Sequence, residues 1–183
     1  MTATAQMLAP AAGPETVESA CAGDRAAFEQ LVAQYTPLVF RVALRIVGNA
    51  ADAEDCVQDV WLAAWRSIGR YRGQAAFSTW LYRVTTNAAL MLVRRRRPAL
   101  PLDGLSDVGI DTPVSIEALA AADAVQRALR ALTSDQRAVI VLREFEDLSY
   151  DQIATILDLS MPAVRSRLHR ARIELCRALE DWR

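Results

Sequence analysis

The sequence contains no lysine; all 21 of its basic side chains are arginine. Histidine occurs once, as His169. A solitary imidazole leaves histidine-based metal sites and Ser-His-Asp chemistry without their usual partners. The three cysteines, Cys21, Cys56 and Cys176, are odd in number, widely separated and free of any CxxC pair. That spacing suggests neither a disulfide framework nor a cysteine zinc site. No apolar run approaches the roughly eighteen residues of a membrane span. The opening MTATAQMLAPAAGPE lacks the basic region of a secretory signal, so the expectation is a cytoplasmic protein with no direct membrane insertion. Runs of alternating β-branched residues are missing too, as is any nucleophile paired with a base. These absences argue against a β fold and against an enzyme, and they call for no cofactor and no metal.

What is present is apolar, helical in rhythm and unevenly charged. Of 183 residues 52% are hydrophobic, enough for one domain or two small ones. From Asp24 to Pro98 eleven arginines face six acids; from Ala99 to Asp123 five acids stand with no base; from Ala124 to Arg183 ten arginines face nine acids. The middle strip, PALPLDGLSDVGIDTPVSIE, carries three prolines and two glycines and reads as a flexible acidic linker. The predicted class is all-α, with two small helical domains: an N-terminal extension over 1–21, expected to be disordered, a basic module over 22–98, the linker over 99–123 and a second module over 124–183.

Helix punctuation predicts helices near 25–35, 37–47, 52–67 and 78–96, with Gly48 and Gly69 as stops. In the second module a helix over 124–132 precedes two capping boxes, Thr133 with Gln136 and Ser149 with Gln152. The segment LSYDQIATILDLSMPAVRSRLHRARIEL then reads as short helix, tight turn, longer helix. Ser160 suits the cap of the longer helix and Pro162 its first turn. At about 100° per residue, Val164, Leu168, Ala171, Leu175 and Leu179 form one apolar stripe. Ser166, His169, Arg170 and Arg177 point away from it, with Arg165 and Arg172 on one flank and Arg167 on the other. Met161–Arg172 holds four arginines and no acid, whereas the preceding hairpin is acidic. Segregation of this kind is the pattern of a recognition helix, although a helical hairpin in a bundle can imitate it.

In DAEDCVQDVWLAAW, residues 52–65, Asp55, Gln58, Asp59 and Leu62 share one arc, opposite Cys56, Val57, Val60 and Ala64. A solvated face, a carboxylate magnesium site and a basic protein partner each accommodate this arc, and the last fits best. The segment YRGQAAFSTWLYRVTTNAALMLVRRRRP follows. Its terminal arginines suit the helix dipole, and with Tyr71, Tyr82 and Trp80 they also suit an unstacked nucleic-acid strand, Trp80 being more at home in a core.

These three segments, in this order and spacing, resemble the extracytoplasmic-function (ECF) sigma factors of bacterial RNA polymerase from about Ala22 onward. The resemblance implies a sigma domain two reading the −10 promoter element and a sigma domain four, with a helix-turn-helix, reading −35. It implies binding to core RNA polymerase, at the beta-prime coiled coil and the beta flap, and to double-stranded promoter DNA and the non-template single strand. An anti-sigma factor partner is implied as well, often at the membrane. By resemblance Asp55, Gln58, Asp59 and Leu62 grip the coiled coil. Arg70, Tyr71, Arg72, Gly73 and Gln74 belong to the loop that traps a flipped base; Arg83, Asn87, Arg94 and Arg95 attend the −10 strand. Arg165, Ser166, Arg167, His169, Arg170 and Arg172 serve the −35 groove. Met91 stands where many members carry Asp or Asn, and Ser160-Met161-Pro162-Ala163 replaces the frequent Pro-x-Gly-Thr turn, without its hydroxyl. Two other classes remain open on the residues alone: an operator-binding regulator that does not join polymerase, and a helical-bundle enzyme with a metal at Asp52, Asp55 and Asp59.

Overall fold

The Asp24 carboxylate accepts hydrogen bonds from the amides of Ala26 and Ala27 (2.8 and 3.3 Å) and thereby starts α2, Arg25–Val47. The computed structural model describes residues 12–95 and 116–180. α2 is a single helix through Pro37, where two helices were predicted. Proline removes one backbone bond, but Tyr35, Leu38 and Val39 on either side are all buried, so burial of a continuous face outweighs the local break. Thr36 joins the adjustment: its hydroxyl donates to the Val32 carbonyl (2.7 Å) and accepts from the Trp61 indole (3.0 Å). Gly48, at φ +97°, ends α2 in the left-handed conformation, its amide bonded to the Leu44 carbonyl at 2.9 Å.

Asn49 caps α3, Ala50–Ser67, and its amide group also donates to the Asp52 carboxylate (2.7 Å). α3 and α4, Phe77–Arg95, pack on α2. Phe28 meets Trp61 and Trp65 edge-on at centroid distances of 5.9 and 4.9 Å, a stable aromatic geometry.

The N-terminal extension departs from the expectation of disorder. Residues Pro14–Cys21 form α1, opened by Pro14 and laid on α2 through buried Val17 and Ala20, three positions apart on one face. The Ala12 amide donates to the Tyr35 hydroxyl at 3.1 Å. Residues 1–11 lie outside the described part.

In the second module α5 spans Ile116–Ala131, so 116–123 of the expected linker is helix; its alanine-rich sequence favours this in spite of its charge. Residues 99–115 lie outside the described part. α6, Ser134–Ile140, and α7, Tyr150–Leu157, each begin with the predicted capping box. Between them Val141–Phe145 forms a π turn, left through Asp147 at φ 51°. Asp158, also left-handed at φ 53°, turns the chain toward α8, Met161–Glu180.

The sequence left open how the modules meet. Two domains joined by a linker were expected, their packing unspecified; they share one continuous core that includes Leu31, Ile46 and Leu81 from the first and Leu129, Ile140 and Leu168 from the second. The second module finishes the C-terminal end of α2. Gln126 donates to the Leu44 carbonyl (3.0 Å), and buried Arg137 donates to the carbonyls of Ile46 (2.7 Å), Arg130 (3.1 Å) and Leu132 (3.2 Å). Helix-end carbonyls without intrahelical partners are natural targets for a guanidinium. Burial, and then Arg130, lower the Arg137 pKa.

Candidate nucleic-acid and protein interfaces

α8 is anchored by Val164, Leu168 and Ala171, all buried, while Leu175 and Leu179 are only half-buried. The stripe predicted for the whole helix therefore anchors its first half. Ser160 caps weakly, at 3.4 Å from the Ala163 amide. Ser166, His169 and Arg170 on the outward face and Arg165 on its flank are exposed, a set of donors able to meet base edges, with Arg170 Nε also donating to the Ser166 carbonyl at 3.4 Å. Two of the three flanking arginines are engaged. Arg172 donates through Nε and Nη2 to the Glu144 carboxylate (3.0 and 2.7 Å), the main reason its pKa is raised. Arg167 is half-buried with Nη1 3.6 Å from Asp135, whose other oxygen accepts from Arg94 at 3.0 Å.

In the first module Asp55, Gln58, Asp59 and Leu62 are all exposed along α3, and Leu62, 55% exposed, borders a shallow depression shared with Asp59, Arg66, Met91 and Arg95. An exposed apolar side chain beside a row of acidic and polar ones is the anatomy of a protein-binding patch. Asp52 does not join them: it is buried against its own helix cap, which withdraws a carboxylate from the metal site considered above. Among the described residues no group of three His, Cys, Asp or Glu side chains is arranged to hold a metal.

The loop after α3 starts as a single 3₁₀ turn, Ile68–Arg70, and continues to Ala76. The Tyr71 hydroxyl donates across it to the Ala75 carbonyl (2.5 Å), and the ring packs against Phe77 and Trp80 at 6.0 and 5.8 Å. Burial raises the Tyr71 pKa, so the hydroxyl stays a donor. With its base tied, and Gly73 at φ +69°, the loop presents Arg72, Gly73 and Gln74 outward. Arg70 is exposed beside them.

Along α4, Arg83, Asn87, Met91, Arg94 and Arg95 are exposed. Asn87, Met91 and Arg94 face a cleft of about 540 Å³ whose other wall is Asp135, Leu157 and Arg167 of the second module. One residue expected at the −35 groove, Arg167, thus lines the same cleft as Asn87, Arg94 and Arg95, expected at the −10 strand. Tyr82 is not available to stack on a base. It is buried, and its hydroxyl donates to the Glu146 carboxylate at 2.8 Å.

Sequence reasoning missed the cluster around Glu146. Arg41 donates from Nε (2.9 Å) and Nη2 (2.7 Å) to the two oxygens of this carboxylate, and Arg45 Nη1 lies 3.8 Å away. The Glu146 side chain is 1% exposed. The Arg45 guanidinium also rests 4.5 Å over the Phe145 ring. The one available signal was a pair of arginines one turn apart on an otherwise apolar stretch of α2.

Two family models match, sigma-70 region 2 over residues 31–99 and sigma-70 region 4 over 122–175. The RNA polymerase sigma-H factor of Pseudomonas aeruginosa is 34% identical, over 95% of this chain and 97% of its own. The chain is an ECF sigma factor. The ECF sigma-E factor of Escherichia coli is 34% identical over 85% of this chain and 88% of its own. Among solved structures, CnrH in complex with the cytosolic domain of CnrY has a TM-score of 0.70 at 29% identity, covering 91% of this chain and 96% of that one. RpoE bound to the anti-sigma factor NepR from Bartonella quintana shares the fold, with a TM-score of 0.64 at 22% identity over 84% and 96%. As a sigma factor this protein directs RNA polymerase to promoters. No described helix is long and apolar enough to cross a membrane.

Proposed function

We propose that this sigma factor selects promoters by reading the −35 element with α8 and the −10 element with α4 and the 70–76 loop, and that it has no catalysis of its own. The observation that carries this reading is the α8 surface, where Ser166, His169 and Arg170, with Arg165 on the flank, are exposed while Val164, Leu168 and Ala171 are buried. Such a helix holds its register from behind while its donors enter the major groove. Asp55, Gln58, Asp59 and Leu62 dock on the beta-prime coiled coil, and the second module meets the beta flap. Opening DNA without ATP needs an exchange of contacts: capture of one flipped base by the 70–76 loop offsets an unstacking cost of a few kcal/mol. The protein works in the cytoplasm and is restrained by an anti-sigma factor, a partner supported by the complexes of CnrH and RpoE.

The test is transcription in vitro from a genomic library with purified core polymerase, with footprints taken with and without core. Specific start sites that require both components are expected. Specific operator protection by the chain alone, unchanged by core, would favour a regulator that does not join polymerase.

A further inference from the structure

We propose that Arg41, Arg45 and Tyr82 form a phosphodiester-binding site on the first module, occupied by the Glu146 carboxylate while the modules are docked. This rests on the reading that α4 meets a DNA strand. Three donors from two helices converge on one anion: Arg41 with two bonds, Tyr82 with one and Arg45 at 3.8 Å. A planar fork on a two-oxygen anion, completed by a hydroxyl, is the geometry with which proteins take phosphate as readily as carboxylate.

The carboxylate underfills the site. Two guanidinium charges face one negative charge, and Arg45 Nη1 is buried with no hydrogen-bond partner. A phosphodiester carries the same single charge, shared by its two non-bridging oxygens, but it is tetrahedral and larger and so can reach that nitrogen. Glu146 stands in for the DNA backbone and leaves with the second module.

The experiment compares full-length variants in binding to a short thymidine homopolymer, whose bases carry no promoter information, across a salt titration without polymerase. Small-angle scattering reports separation of the modules and circular dichroism reports helix content. Glu146→Gln leaves the two arginines unbalanced, so the modules separate, and affinity is expected to rise roughly tenfold. The double variant Arg41→Gln/Arg45→Gln also undocks the modules, by stranding Glu146, but destroys the site. It is expected to bind at least roughly tenfold more weakly than Glu146→Gln, with a salt slope shallower by about 0.7 for the missing phosphate contact. Tyr82→Phe in the Glu146→Gln background removes one neutral donor and should weaken binding with the slope unchanged; it decides the matter if the double variant loses helix content. No gain in Glu146→Gln, an equal gain in the arginine variant, or no effect of Tyr82→Phe would each overturn the site. Start-site selection by the unmodified holoenzyme is read separately, so failure of promoter reading is distinguishable from failure of this site.

Discussion

Cys56 is buried in α3, and its thiol is pushed up to about 12 from an ordinary 9.0, first by burial and then by Asp59 and Asp52. The unfolded chain releases this proton near pH 9 while the folded one holds it, so stability present below that pH is lost as pH rises toward about 12. One proton sets a slope of at most about 1.4 kcal/mol per pH unit. Urea unfolding across this range should show a steeper alkaline decline for the wild type than for Cys56→Ala. Arg165 poses a residue-scale question of another kind, since it is exposed and paired with no acid among the described residues, whereas Arg172 is held by Glu144. Arg165→Ala should therefore lose roughly 1 to 3 kcal/mol, mainly at its cognate base pair, and Arg172→Ala should weaken all sequences alike. Binding to a panel of single-base promoter variants separates the two outcomes. The exposed face of α8 was legible because helical periodicity alone separates Val164 and Leu168 from Ser166 and His169. The engagement of Arg172 was not, because its partner lies 28 positions earlier in a turn whose π geometry no local pattern encodes.

At the scale of elements, the capping boxes at Thr133 and Ser149 were readable because both halves of each lie within four residues and satisfy each other's backbone groups. Ser149→Ala should cost about 1 kcal/mol and loosen the start of α7, measurable in a thermal or urea melt. Pro37 misled for the complementary reason: its ring and missing amide are local, while the burial of Tyr35, Leu38 and Val39 that overrides them is not. Pro37→Ala should restore a backbone bond and stabilise the protein, by up to about 3 kcal/mol if the helix straightens without disturbing its packing. α1 escaped notice because eight residues with two apolar anchors are too short to stand alone as a helix and form one only against α2.

For the whole molecule, the decisive contacts join residues about ninety to a hundred positions apart, Arg137 with Ile46 and Glu146 with Arg41. Nothing in either segment announces the other, so the two modules could be read but not their docking. The acidic arc on α3 lies clear of this docking and remains exposed in the closed molecule. Asp55→Ala with Asp59→Ala should weaken association with core polymerase by about 2 kcal/mol or more, leaving the fold intact, as read by titration of labelled protein. Arg137 shapes how the modules come apart. Of its three acceptors, those at Arg130 and Leu132 travel with it, and the one at Ile46 stays behind on the other module. A cation in so dry a seat cannot surrender that oxygen by degrees; water must arrive as the carbonyl departs. Any parting of the modules therefore has to hydrate that carbonyl in the same step, which sets a barrier against half-open forms.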